Sequence, residues 1–154
     1  MIKFKKTVEQ MKLLRWSFNN SKHFKWYYTA SIIFVLTSTR LLIYERSEEL
    51  MNYLKDFCEP SDALFPVVLK MIDKANEADN STPYSRNLID GAYLIIRYNG
   101  EDYLFDKKLI PNMFKKKNIT YSLFIMNKVH MIGIYENGYL SSIVLGCSKE
   151  YRYG

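Results

Sequence analysis

The chain has 154 residues, of which 48% are hydrophobic and 16% aromatic, and it carries a formal net charge of +6. That length sets one globular core with at most a short appended segment, and that apolar content excludes a disordered chain. The charge does not by itself define a nucleic-acid surface, because the basic excess is concentrated in positions 1–25 and at Lys115, Lys116 and Lys117 rather than spread along one folded face.

In chain order, Phe4, Val8, Met11, Leu14 and Phe18 recur at helical spacing, with Lys5, Lys6, Lys12 and Arg15 on the other flanks. Residues 1–25 therefore read as a basic amphipathic segment, of the kind found in mitochondrial targeting sequences and in helices that lie on a membrane surface. The stretch Trp26–Tyr44 follows, and the charge changes sign across it: basic before, acidic after, with Glu45, Glu48, Glu49, Asp56, Glu59 and Asp62 against Arg46 and Lys55.

Two readings compete for that stretch. As a helix it would rise about 28 Å, close to the roughly 30 Å hydrocarbon core of a bilayer. Trp26, Tyr27, Tyr28 and Tyr44 would then sit at the interfaces. Ile32, Ile33, Phe34, Val35, Leu36, Leu41, Leu42 and Ile43 would face lipid, and Arg40 would snorkel from near one end. The alternative is a buried hairpin of strands at 28–36 and 40–45, rich in β-branched and aromatic residues. Its connection, Thr37-Ser38-Thr39, lacks the Gly, Asn or Asp usual in tight hairpin loops. The membrane helix is the leading expectation: residues 1–25 on the positive-inside side, 26–45 as a single-pass anchor, and 46–154 as an α+β domain. The basic N-terminus points to the mitochondrial inner membrane, and the alternative is a soluble cytoplasmic protein.

Within 46–154, Ser47 before Glu48 and Glu49 predicts a capped helix running to about Cys58, with Leu50, Leu54 and Phe57 on its buried face. Glu59-Pro60 stops it, and Ser61-Asp62 offers the cap of a second helix carrying Leu64, Val68, Met71, Ile72 and Ala75 at helical spacing. The pair reads as a helical hairpin. From residue 93 the period becomes that of strands: Tyr93–Tyr98, Tyr103–Phe105, Thr120–Met126, Val129–Tyr135 and Tyr139–Leu145, with turns at Asn99-Gly100, Asn127-Lys128 and Asn137-Gly138. The expected fold is α+β: an N-terminal basic amphipathic helix, a single membrane helix, then a helical hairpin packed on one face of an antiparallel β-meander.

Local signatures of chemistry are sparse. His23 and His130 are the only histidines, and His130 alternates with apolar residues as a sheet histidine does. Asp90, Glu101, Asp102 and Asp106 read as acids around a solvated turn. Cys58 and Cys147 have no metal-ligand spacing, and the six glycines match no phosphate loop. No catalytic residue, metal, cofactor or small-molecule substrate is therefore expected.

The favoured function is a non-catalytic, membrane-anchored accessory or assembly subunit whose partners are other protein subunits and the lipid bilayer. Lys115–Lys117 beside Tyr121, and Arg152 within the basic and aromatic C-terminus, are the candidate contacts for an anionic partner. The order of a helical hairpin followed by a meander resembles that of RelE-type toxins, which implies a soluble nucleic-acid-binding or metal-free ribonuclease-like alternative. A soluble protein-binding inhibitor or immunity-type module is the third reading.

Overall fold

The computed structural model describes residues 24–78, 80–81, 84–87, 93–98, 100–110 and 118–147. The predicted helix at 4–18, Lys115–Lys117 and Arg152 lie outside the described residues. The protein is α+β, with two α-helices and antiparallel sheets among the described residues. Strands β1 (Lys25–Tyr28), β2 (Ile32–Leu36) and β3 (Arg40–Glu45) come first, then helices α1 (Glu48–Lys55) and α2 (Leu64–Glu77). β4 (Asn80–Ser81) follows, then β5 (Tyr84–Asn87), β6 (Tyr93–Tyr98) and β7 (Glu101–Asp106), and the chain returns through β8 (Ile119–Met126), β9 (Val129–Glu136) and β10 (Tyr139–Leu145). A seven-stranded sheet runs β1-β2-β3-β10-β9-β8-β4, and β5-β6-β7 form a separate three-stranded sheet.

Trp26–Tyr44 is therefore three strands, and the expected continuous membrane helix is corrected. Among the described residues no helix is long and apolar enough to cross a membrane. The hairpin reading is the nearer one, although its first strand is broken at Thr29-Ala30-Ser31. Threonine hydroxyls close both connections in place of the missing Gly or Asn. Thr37 Oγ1 accepts from the backbone N–H of Arg40 at 3.1 Å and of Thr39 at 3.3 Å and donates to the Arg40 carbonyl, while Thr37 N–H bonds that same carbonyl at 2.9 Å. Thr29 Oγ1 likewise accepts from Ile32 N–H at 3.2 Å. A side-chain oxygen mimics the backbone turn in each case.

The continuous apolar run arises because this part of the sheet is covered on both faces, so neither alternating set of side chains meets water. Ile33, Val35, Leu42 and Tyr44 join Trp26 in a core beneath Leu50, Met51 and Leu54 of α1. Phe34, Leu41 and Ile43 point the other way, into a core with Leu64, Val68, Met71 and Ala75 of α2. The two helices thus lie on opposite faces, which corrects the expected hairpin on one face. The short segment between them, Asp56–Ala63, crosses the β1 edge, where Ser61 N–H bonds the Trp26 carbonyl at 2.8 Å.

The register extends this layering across the sheet. Leu42 pairs with Ser142 and Arg40 with Val144, so Val144 shares the α1 face. On that face, beside α1, the small sheet packs Leu94, Ile96 and Phe105 over Tyr121, Ile132, Ile134 and Val144. On the opposite face α2 crosses the sheet. Near its start Phe65 lies 5.7 Å from the Tyr27 ring, and near its end Asn76 Oδ1 accepts from the Tyr135 hydroxyl at 2.7 Å. Close approach there depends on Gly133, where a Cβ would fall 2.7 Å from Ser122 Oγ and 3.3 Å from Ala75 Cβ.

Helix capping follows the sequence only in part. Ser47 accepts from Leu50 N–H at 3.2 Å, as expected of an N-cap. α2 has no side-chain cap; the backbone carbonyls of Ser61 and Asp62 receive the N–H groups of Leu64 and Phe65 instead. Pro66 is tolerated because N–H groups in a first turn have no intrahelical partner.

Burial lifts the Tyr44 and Tyr121 phenols from 10.0 to about 12, with the Glu136 charge adding to the rise at Tyr121 and Arg40 opposing it at Tyr44. The unfolded chain ionises these groups first, so stability falls as pH rises from about 10 to about 12 and is unaffected by them at lower pH. Replacing both by Phe is expected to flatten that decline, read as the denaturant midpoint against pH.

Candidate interaction site

The β8–β9 hairpin ends in a two-residue turn, Asn127 and Lys128, with φ of 52° and 66°. Two residues with positive φ match the right-handed twist of the flanking strands, which makes this a stiff connection. Beyond the turn, Met126 pairs with Val129 and Ile125 with His130. Ile125 is 55% exposed and Val129 36% exposed, on opposite faces of the hairpin, while Met126 is buried. Aliphatic side chains thus flank the tip on both faces, next to the exposed Lys128.

His130 fixes this end to the rest of the molecule. Its ring lies 5.2 Å from Tyr103 and 5.3 Å from Phe105 of β7, and Nε2 is 3.2 Å from the Leu104 carbonyl. An acceptor at that distance assigns the Nε2 proton to His130. The segment after β10 closes over it: Gly146 N–H bonds the His130 carbonyl and Cys147 N–H bonds the Leu104 carbonyl, each at 2.8 Å. Only glycine fits at 146, since a Cβ there would overlap the imidazole ring. His130 is the satisfied sheet histidine expected from its alternation, and it locks the small sheet to the large one.

The acids of this region also have structural partners. Asp102 Oδ1 lies 3.4 Å from Arg97 Nε across the β6–β7 pair, Asp106 Oδ1 accepts from Lys108 N–H at 2.9 Å, and Glu101 Oε2 accepts from the Tyr103 hydroxyl at 3.3 Å. Both cysteines are free thiols. Burial pushes the Cys147 thiol up, the Asp106 charge adds to the rise, and the Asp106 backbone N–H opposes it. Burial likewise raises Cys58, against the Trp26 indole N–H and with the Glu59 charge. Raised thiol pKa values disfavour the thiolate that nucleophilic or metal chemistry requires. No group of three or more His, Cys, Asp or Glu is placed to hold a metal ion among the described residues.

Of the residues expected to form a membrane anchor, Trp26, Ile33, Phe34, Val35, Leu41, Leu42, Ile43 and Tyr44 are buried in the two cores, and Tyr27, Tyr28, Ile32, Leu36 and Arg40 are half-buried around them. Sequence reasoning placed the β8–β9 turn but passed over Ile125 and Val129, since each continues an apolar strand pattern and only tertiary placement leaves it uncovered. Three strands precede the helices, so the order behind the resemblance to RelE-type toxins, two helices and then a meander, describes only the chain from residue 48 onward. No protein-family model, curated protein or solved structure matches the chain.

Proposed function

We propose that the protein is a non-catalytic recognition module that contacts another protein through the end of the β8–β9 hairpin. The observation that carries this reading is the exposure of Ile125 and Val129 on a tip held in one conformation by its turn and by His130. Apolar anchors presented by a rigid element lose little conformational entropy on binding, and a few such anchors supply most of the affinity of an interface. This keeps the accessory-subunit reading of the sequence but places the contact on the hairpin, since Trp26–Tyr44 forms sheet core and does not serve as a helical anchor.

The test compares protein partners recovered with the wild-type chain and with the Ile125→Asp/Val129→Asp double variant. Exposed positions tolerate such changes, so stability is expected to shift by no more than about 0.5 kcal/mol per site. Affinity for the partner is expected to fall at least roughly 30-fold. An undiminished partner would move the contact elsewhere. RNA binding lost steeply with added salt would instead support the nucleic-acid alternative.

A further inference from the structure

α1 lies on the sheet through Leu50, Met51 and Leu54, which are buried. One flank of the helix is aromatic. Tyr53 and Phe57 are half-buried with their rings edge to face at 5.3 Å, and the Phe57 ring meets Phe24 at 5.9 Å just before β1 begins. At about 100° per residue, Glu49 and Asp56 fall beside that aromatic pair on its outer side, whereas Glu48 and Lys55 fall on the opposite flank beyond Met51. Both charged residues bordering the aromatic flank are therefore acids. They are exposed, and neither forms an ion pair with a described residue, since Arg46 is held by Glu48 and by the Tyr28 ring. Exposed Glu59 and Asp62 continue the acidic surface past the end of α1, and exposed Lys25 beside Phe24 is the base at that end.

The chain upstream of Phe24 carries the complementary chemistry. Phe4, Val8, Met11, Leu14 and Phe18 recur at helical spacing, with Lys5, Lys6, Lys12 and Arg15 on the flanks and Glu9 as the acid of that stretch. We propose that residues 4–18 fold back as a helix along the Tyr53–Phe57 flank of α1, with the apolar stripe against the two rings and the bases against Glu49, Asp56 and Glu59. Chain connection favours this occupant. The polar link Asn19-Asn20-Ser21-Lys22-His23 lets Phe18 lie no more than about 21 Å from Phe24, which itself touches Phe57. So short a tether holds the segment at an effective concentration on the order of millimolar, and a weak contact then suffices. Exposed ion pairs contribute little stability, so the ring contacts hold the segment and the charges orient it. No residue of the β8–β9 tip takes part, so the fold-back stands or falls independently of what the tip binds.

Hydrogen exchange of the full chain, compared residue by residue with a synthetic peptide of residues 1–23, tests this. Amides of 8–18 are expected to exchange at least roughly 10-fold more slowly in the chain than in the peptide. Met11→Asp should abolish that protection. Glu49→Lys/Asp56→Lys should reduce it, and adding Lys12→Glu/Arg15→Glu should restore it, with the sheet amides unchanged because Glu49 and Asp56 are exposed. Zero-length carbodiimide cross-linking of mixed unlabelled and 15N-labelled chains should join Lys5, Lys6 or Lys12 to Glu49, Asp56 or Glu59 within one chain. Peptide-like exchange throughout 4–18 overturns the proposal, as does protection that survives Met11→Asp. Protection untouched by Glu49→Lys/Asp56→Lys overturns the α1 flank as the docking surface. Cross-links between labelled and unlabelled chains assign the segment to a second copy, and protection that arises only with phosphatidylglycerol vesicles assigns it to a lipid surface; either result overturns the fold-back.

Discussion

Phe34→Arg is expected to leave the protein unable to fold. Phe34 is buried on β2 between Leu41, Ile43 and the α2 side chains Leu64 and Val68, with the Phe65 ring 6.4 Å away. Its partners in that core are apolar, and none of them offers a guanidinium a carboxylate. Leaving a charge buried and unpaired costs on the order of 4 kcal/mol or more, a large part of the roughly 5–15 kcal/mol that holds a domain together. The measurement is soluble yield together with urea denaturation of any soluble fraction. A cooperatively unfolding Phe34→Arg protein within about 1 kcal/mol of wild type would show that α2 does not cover β2 in solution. This substitution also separates the sheet from the bilayer helix that Trp26–Tyr44 resembles. A membrane helix would fail at insertion, whereas this chain is expected to fail at folding in the absence of any membrane.

Trp26→Ala is the second large effect. Trp26 is completely buried on the outermost strand of the large sheet, where its indole Nε1–H donates to the Cys58 carbonyl at 2.9 Å. Its backbone carbonyl accepts from Ser61 N–H, so one residue ties β1 to the whole segment between the helices. Truncation removes the largest side chain of the α1 core and strands a carbonyl, which together cost about 3–5 kcal/mol. Trp26→Phe keeps most of the packing and loses only the indole bond, so it should cost distinctly less. Equal destabilisation by the two substitutions would mean that the indole N–H, rather than ring volume, governs this edge. Hydrogen exchange should show the loss first in 56–63, whose Cys58 carbonyl loses the indole N–H while the Ser61 bond to the backbone carbonyl of residue 26 can persist.

Much of the fold was legible in the chain because it depends on local chemistry. Ser47 with Glu48 and Glu49 announces α1 through its cap and dipole, and Leu64, Val68, Met71 and Ala75 define the buried stripe of α2. Asn137-Gly138 and Asn127-Lys128 mark hairpins because Asn and Gly accept positive φ, with Lys128 drawn into it at 66°, and the strands on either side fall where their alternation places them. His130 was readable as a sheet histidine for the same local reason.

What the sequence by itself determined, then, is the α+β class, both helices, the meander β8–β9–β10 and the hairpin of β6 and β7. Tertiary structure decided the rest. A strand covered on both faces and a bilayer helix are written in the same apolar residues, so Trp26–Tyr44 took its identity only from the layers above and below it. The hydroxyl-closed turns at Thr29 and Thr37 act through hydrogen bonds that composition does not reveal. Two helices joined by a short link read as a hairpin until the edge of a sheet is found between them. Which apolar residues stay uncovered, among them Ile125 and Val129 at one end, Val67 and Leu69 on α2 and Tyr139 at the start of β10, depends on which neighbours the other elements bring, and that information is non-local.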